Sequence, residues 1–245
     1  MDAILLAADA SSPDDVWVVG SSDPFGVSIA GLVLHWDGVH WAQETIEGIA
    51  HLYDVAVIAS DDAWALGSPR DIDNDDDWLV HWDGRRWSRV EHSLKWELVS
   101  PSAIAAVATD DVWLVGIDFG ASGSQPAPYI AHWDGARWSR SKVSVRSGLL
   151  EDVSAFSADS VWAAGYASLD EFDQKSGSVV LRWDGNEWLQ VATPMTLMDR
   201  TTSPRQTPMR HGSSRTTSSA NQRRYGAGTD AHGRRRCSRS RTSPS

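Results

Sequence analysis

The sequence predicts an all-β chain built from four copies of one four-stranded unit, and three observations predict it. A first anchor recurs as DDVWVVG at Asp14–Gly20, DDAWALG at Asp61–Gly67, DDVWLVG at Asp110–Gly116 and DSVWAAG at Asp159–Gly165. A second recurs as HWDGVHW at His35–Trp41, HWDGRRW at His81–Trp87, HWDGARW at His132–Trp138 and RWDGNEW at Arg182–Trp188. The first-anchor residues Trp17, Trp64, Trp113 and Trp162 are 47, 49 and 49 residues apart, a period of the length that marks repeat architectures. Twelve of the 14 tryptophans fill these repeated slots, so the Trp-rich composition is architectural.

Each unit reads as four short strands in order. An alternating run such as Val55 and Val57, or Ile104 and Val107, forms the first strand, and the Asp-Asp pair that follows is a turn signal into the Trp-bearing second strand. After a variable loop, a third strand of the type LVLHW runs into Asp-Gly and returns as a fourth strand carrying the last Trp. Asp-Gly between two β-type runs signals a tight hairpin, because a type I′ turn needs positive φ at both central residues. The structural hairpin residues are therefore Asp37, Gly38, Asp83, Gly84, Asp134, Gly135, Asp184 and Gly185. With Asp37 and Gly38 central, Trp36 faces Val39, His35 faces His40 and Leu34 faces Trp41. In the fourth unit the same register sets Arg182 opposite Glu187. The repeats fall at about 1–47, 48–96, 97–145 and 146–194.

Four-stranded units of this length with a periodic Trp signature predict a β-propeller, in which each blade buries its faces against its neighbours. A β-solenoid is the main competitor, but its turns are shorter and lack the hairpin that ends every unit here. The chain resembles bacterial β-propeller repeat proteins whose blades carry a D-V-W-x-V-G strand and an H-W-D-G-x-x-W hairpin, and is loosely similar to Asp-box (BNR) and kelch-type blades. The resemblance covers about residues 3–193. It departs from the Asp-box, which spaces Asp and Gly two apart with the aromatic five after Asp, whereas here Asp37 and Gly38 are adjacent and Trp41 is four after. The resemblance implies a binding or scaffold surface.

Charge divides the chain in two. Residues 1–194 carry 11 Lys+Arg against 31 Asp+Glu, and residues 195–245 carry 11 Arg against Asp199 and Asp230, so the formal charge of −11 combines an acidic piece of −20 with a basic one of +9. From Asp199 onward there is no Val, Ile, Leu, Phe or Trp, a composition that cannot bury enough apolar area to offset chain entropy and so predicts a disordered tail. A second reading treats the tail as out-of-frame coding. The period places the next Trp near 211 and the next hairpin near 228, and the overlapping frame permits Trp codons at His211-Gly212, Ala227-Gly228 and His232-Gly233. On that reading a frameshift after about residue 195 replaced a fifth blade, and the blades are part of a larger propeller. If the tail is authentic, its RRYG and GRRRCSRSR runs are phosphate-contacting patches for nucleic acid or another acidic polymer. The single Cys237 allows no internal disulfide. No stretch reads as a signal peptide or membrane span, so the expectation is no membrane partner and, by default, the cytoplasm.

Candidate chemistry is sparse. His35, His81 and His132 recur once per unit, which a ring holds far apart, so they are read as strand-surface residues. The repeated Asp37, Asp83, Asp134 and Asp184 are read as turn formers. Asp71, Asp73 and Asp75 in DIDNDDDW have the alternate spacing of a calcium loop, without the expected Gly at Asp76 or a carboxylate at Trp82. No nucleophile elbow, phosphate-binding Gly loop, zinc spacing or dinucleotide fingerprint occurs in the units. The expected function is a noncatalytic surface for protein or glycan. The alternatives are a glycan-active Asp-box-type enzyme, which requires paired carboxylates and an Arg cluster at the channel mouth, and nucleic-acid binding through the tail.

Overall fold

The computed structural model describes residues 2–23, 29–69, 79–90, 94, 98–120, 125–168, 175–193 and 198–199. Its blades lie within one compact unit, Met1–Ser203. Blade 1 is the antiparallel meander β1 (Ala3–Ser12), β2 (Asp15–Ser22), β3 (Ala30–Trp36) and β4 (Trp41–Ile46). Blade 2 repeats the order with β5 (Ile49–Ala59), β6 (Asp62–Pro69), β7 (Leu79–Trp82) and β8 (Trp87–Arg89). Blade 3 has β9 (Val99–Ala108), β10 (Asp111–Asp118), β11 (Ala127–Trp133) and β12 (Trp138–Arg140). Blade 4 has β13 (Leu149–Ser157), β14 (Ser160–Ser168), β15 (Lys175–Trp183) and β16 (Trp188–Gln190), with β17 (Met198–Asp199) paired to the start of β15.

Successive first strands lie side by side, β1 against β5, β5 against β9 and β9 against β13. Meandering four-stranded sheets stacked through their faces around neighbouring innermost strands make this all-β fold a β-propeller. Among the described residues no packing of comparable extent joins β13 back to β1, so the four blades form an open series. No helix of the described residues is long and apolar enough to cross a membrane.

Each interface between blades is one hydrophobic cluster. Trp17 and Val19 of blade 1 pack on Ala65, Val80, Trp82 and Trp87 of blade 2. Trp64 and Leu66 pack on Leu114, Ala131, Trp133 and Trp138. Trp113 and Val115 pack on Ala163, Leu181, Trp183 and Trp188. The centre of every interface is a tryptophan triangle. Trp17 lies 5.3 Å from Trp82 and 5.5 Å from Trp87, and Trp113 lies 5.2 Å from Trp183 and 5.4 Å from Trp188, the second contact in each case nearly perpendicular. Edge-to-face contact suits the ring quadrupole. The buried indole N–H groups of Trp64, Trp87, Trp138 and Trp188 have no hydrogen-bond partner among the described residues.

The repeated glycine three residues after each first-anchor Trp, inside the second strand, has a steric origin. Every first strand carries a bulge at the same slot, between Leu5 and Ala7, Leu52 and Asp54, Pro101 and Ala103, and Leu150 and Asp152. The bulge throws a backbone carbonyl against the second strand, so a Cβ at Gly116 would come 2.2 Å from the Ser100 oxygen and one at Gly165 would come 2.1 Å from the Leu149 oxygen.

The hairpins differ from the expected register. Trp36 pairs with Trp41, His35 with Ala42 and Leu34 with Gln43, and in blade 4 Arg182 pairs with Leu189 rather than Glu187. Asp37 N–H donates to the His40 carbonyl across the turn at 3.2 Å, which makes Gly38 and Val39 the central residues. Positive φ falls on Gly38 (89°), the first central position, where type II′ turns place glycine. The Asp37 carboxylate instead collects the turn's amides, with Oδ1 accepting from Val39 at 2.8 Å and His40 at 2.7 Å. Asp83, Asp134 and Asp184 do the same in their turns. This side-chain cap moves the turn by one residue and each cross-strand pairing by two, which sets the two hairpin tryptophans opposite each other as tilted rings 5.6 to 5.9 Å apart, and in blades 2 to 4 they receive the Trp of the preceding blade.

Candidate functional site

The carboxylates and imidazoles that chemistry would call on sit in three settings. In the first, the second Asp of each Asp-Asp pair opens the Trp strand, where residues two apart face the same side. The neighbouring third strand sets a His directly across from the Trp, as Trp17↔His35, Trp64↔His81 and Trp113↔His132. His35 Nε2 lies 2.7 Å from Asp15 Oδ1, and the corresponding distances from His81 to Asp62 and His132 to Asp111 are both 2.8 Å. The imidazole lies flat on the indole, 3.9 Å from Trp17 and 4.0 Å from Trp113. Trp17 Nε1 and Trp113 Nε1 donate to the same Asp oxygen at 3.1 and 2.7 Å. Each Asp–His pair thus clamps two strands of one blade, and in blades 1 and 3 the same Asp also holds the indole N–H of the buried ring, whereas in blade 2 the Trp64 indole N–H has no partner among the described residues and His81 lies tilted to the ring at 4.5 Å.

Sequence reading placed these histidines on strand surfaces and missed their aspartate partners. A signal was present. In the fourth unit the Asp slot holds Ser160 and the His slot holds Arg182, so both members of the pair change together. There the Arg182 guanidinium lies over the Trp162 ring at 5.7 Å instead.

The second setting is the groove along the innermost strands. Asp9, Asp54 and Asp152 line an open cavity of about 320 Å³ together with Val57, Ile104 and Ser154 among others, and none of its lining residues is basic. Asp9 Oδ2 accepts the Val57 N–H of the next blade at 2.7 Å. Asp54 Oδ1 accepts its own Val55 N–H at 2.9 Å, and its Oδ2 accepts Ile104 N–H of blade 3 at 2.7 Å. Asp152 Oδ1 accepts Val153 N–H at 2.9 Å. Burial is the largest influence on Asp54 and pushes its carboxyl up to about 6. The two backbone N–H groups oppose that rise, and the charges of Asp152 and Asp9 add to it.

The third setting is a cavity of about 260 Å³ bounded by Leu94, Leu98, Val99, Asp118, Tyr129, Trp138 and Arg140. Arg140 Nη1 donates to Asp118 Oδ2, and the guanidinium lies 5.3 Å from the Tyr129 ring centre. Burial, reinforced by Asp118 and opposed by Arg140, pushes the Tyr129 hydroxyl up to about 12.

The hairpin residues Asp37, Asp83, Asp134 and Asp184 are spread one per turn. Each carboxyl is held below its ordinary value, first by the backbone N–H three residues on and then by the one two residues on. The calcium candidates Asp71, Asp73 and Asp75 lie outside the described residues, as do the RRYG and GRRRCSRSR runs. Among the described residues no three His, Cys, Asp or Glu side chains are grouped to hold a metal ion.

No family model matches the chain, and no curated protein sequence matches it. Solved structures that resemble it include YCF48 from Cyanidioschyzon merolae, at 19% identity over 79% of this chain and 58% of that one with a TM-score of 0.45. A puromycin-hydrolyzing peptidase from Mycobacterium tuberculosis matches at 12% identity over 79% of this chain and 32% of its own, with a TM-score of 0.49. A GH74 xyloglucanase from Xanthomonas campestris matches at 15% identity over 72% of this chain and 28% of its own, with a TM-score of 0.43. The chain therefore spans 58% of the first of these proteins and about a third or less of the other two. At these identities each likeness is one of fold, and the propeller assignment stands on the geometry of the blades themselves.

Proposed function

We propose that this chain is a noncatalytic binding scaffold that presents the acidic inner-strand groove to a protein ligand carrying a basic segment. The observation that carries the reading is that the groove carboxylates are fixed by backbone amides, Asp9 and Asp54 each reaching the neighbouring blade. Carboxylates held this way form a rigid acidic surface, and among the described residues no basic side chain lines the groove to neutralise it. The strongly negative charge of residues 1–194 supports the same ligand by long-range attraction. A peptide rich in Lys and Arg is the probe. Saturable binding that weakens with added salt and with the paired substitution Asp9→Asn and Asp152→Asn is the expected result. Binding indifferent to both changes sinks the reading.

A glycan-active enzyme is the second reading, favoured by one observation. Asp54, raised to about 6, shares its groove with a second carboxyl, Asp152, as paired-carboxylate chemistry requires. Against it, both Asp54 oxygens already accept backbone N–H groups. Hydrolysis of a chromogenic oligosaccharide that Asp54→Asn abolishes would establish it. The calcium site at Asp71, Asp73 and Asp75 and the nucleic-acid role of residues 195–245 stay as proposals drawn from sequence. Calcium titration by calorimetry addresses the first, and salt-dependent retention on heparin, lost on removing residues 195–245, addresses the second.

A further inference from the structure

We infer that a second copy of this chain packs its blade 1 against the outer face of blade 4, and that two such contacts close a ring of eight blades. The chain carries both halves of the blade interface and leaves one of each uncovered. On the donor side, Trp17, Trp64 and Trp113 are 2, 4 and 1% exposed beneath the hairpin of the next blade, while Trp162 in the same slot is 40% exposed. Phe156 (88%), Tyr166 and Leu189 extend that open face. A repeat face adapted to water is polar; this one carries four large apolar side chains.

The receiving side is the mirror case. The slots of Val16, Val18 and Leu34 are held in blades 2 to 4 by Ala63, Ala65 and Val80, by Val112, Leu114 and Ala131, and by Val161, Ala163 and Leu181, all fully buried. In blade 1 the three are only half-buried, and Trp41, whose counterparts Trp138 and Trp188 are buried, is 54% exposed. Seating Trp162 of one copy between Trp36 and Trp41 of the other repeats the triangle found at all three internal interfaces. The polar link repeats as well. Asp54 accepts Ile104 N–H from the next blade, Asp152 holds the slot of Asp54 in blade 4, and Ala8 holds that of Ile104 in β1.

Closure sets the number of copies. Propellers close with about four to eight blades. The four blades here do not close on themselves, so two copies are the one multiple that makes a ring. The interface is head-to-tail, and the ring has twofold symmetry. The inference does not depend on what the inner groove binds.

Light scattering of the full chain after size exclusion tests it, with a species of twice the 26.8 kDa chain mass expected at high concentration. Trp162→Glu and Trp41→Glu each place a charge in the contact and should raise the dimer Kd by at least ~30-fold, the usual loss at an aromatic anchor. Each variant keeps one sound face, so mixing the two should regenerate a two-copy species through a single contact. That recovery also shows that both variants fold. A wild-type chain that stays monomeric overturns the inference. So does a dimer broken by Trp162→Glu but indifferent to Trp41→Glu, which marks blade 4 pairing with itself, or a ladder of masses beyond two copies, which marks an array that fails to close.

Discussion

Blades 3 and 4 have the same strands and the same hairpin, yet Trp113 is buried to 1% exposure and Trp162 stands 40% open. Among the described residues, blade 3 has a neighbouring blade on each face and blade 4 has one. In blade 3 the ring is gripped by Asp111 and His132, whereas in blade 4 Ser160 and Arg182 replace that pair and the guanidinium lies over the indole. The difference teaches that a blade's sheet forms from its own residues, while the worth of its central Trp is set by the next blade.

Removing the two rings should expose that difference most strongly. Trp113→Ala should cost about 3–5 kcal/mol, the range for deleting a buried aromatic. Trp162→Ala should cost less than about 2 kcal/mol in urea denaturation at dilution, since much of its surface is already in water. Equal losses would break the comparison.

Backbone crowding should treat the blades alike. Gly116→Ala and Gly165→Ala drive a Cβ into the carbonyls of Ser100 and Leu149, and each should cost about 1–3 kcal/mol as overpacking does. A loss at Gly116 alone would show that the blade 4 bulge yields.

The polar clamp is next. Asp111→Ala leaves the Trp113 indole N–H and His132 without their acceptor and should cost about 1–3 kcal/mol. Ser160→Ala should fall within about 0.5 kcal/mol of wild type. Arg182→Ala should cost at most about 1 kcal/mol for an exposed cation–π contact.

The smallest effect is in pH. The Asp54 carboxyl titrates at about 6 in the folded chain against an ordinary value of 3.8. The folded state therefore holds that proton more tightly than the unfolded chain, and the group's contribution to stability is greatest below pH 4 and falls as pH rises towards 6. Asp54→Asn loses a backbone acceptor at every pH. The stability difference between variant and wild type should nevertheless move in the variant's favour between pH 4 and pH 7, and a flat difference would show that Asp54 does not titrate there. Asp152→Asn removes a charge that raises Asp54 and should move its titration, followed by carboxyl-carbon NMR, towards the ordinary value.

Much of the fold was legible because repetition reports itself. The Trp slots, the alternation of the first strands and the Asp-Gly turns each occur four times, and the stacked blades are their consequence. The hairpin register was not legible, because Asp-Gly suits two turns. It can fill both central positions, or, as here, Asp can precede the loop and cap its amides with a carboxylate. The groove was hidden for a different reason. Asp9, Asp54 and Asp152 do not share one repeat slot, and the backbone groups they hold belong partly to other blades.

Local physics in the sequence alone determined the four-stranded units. The period-2 alternation, turn glycines and paired aspartates act within about fifty residues and need no neighbour. Tertiary structure alone decided which rings are buried, which carboxyl is raised and which two faces stay open. Those properties depend on what lies across an interface, and among the described residues the two ends of the series repeat the strands and hairpin of its middle without a blade on one face.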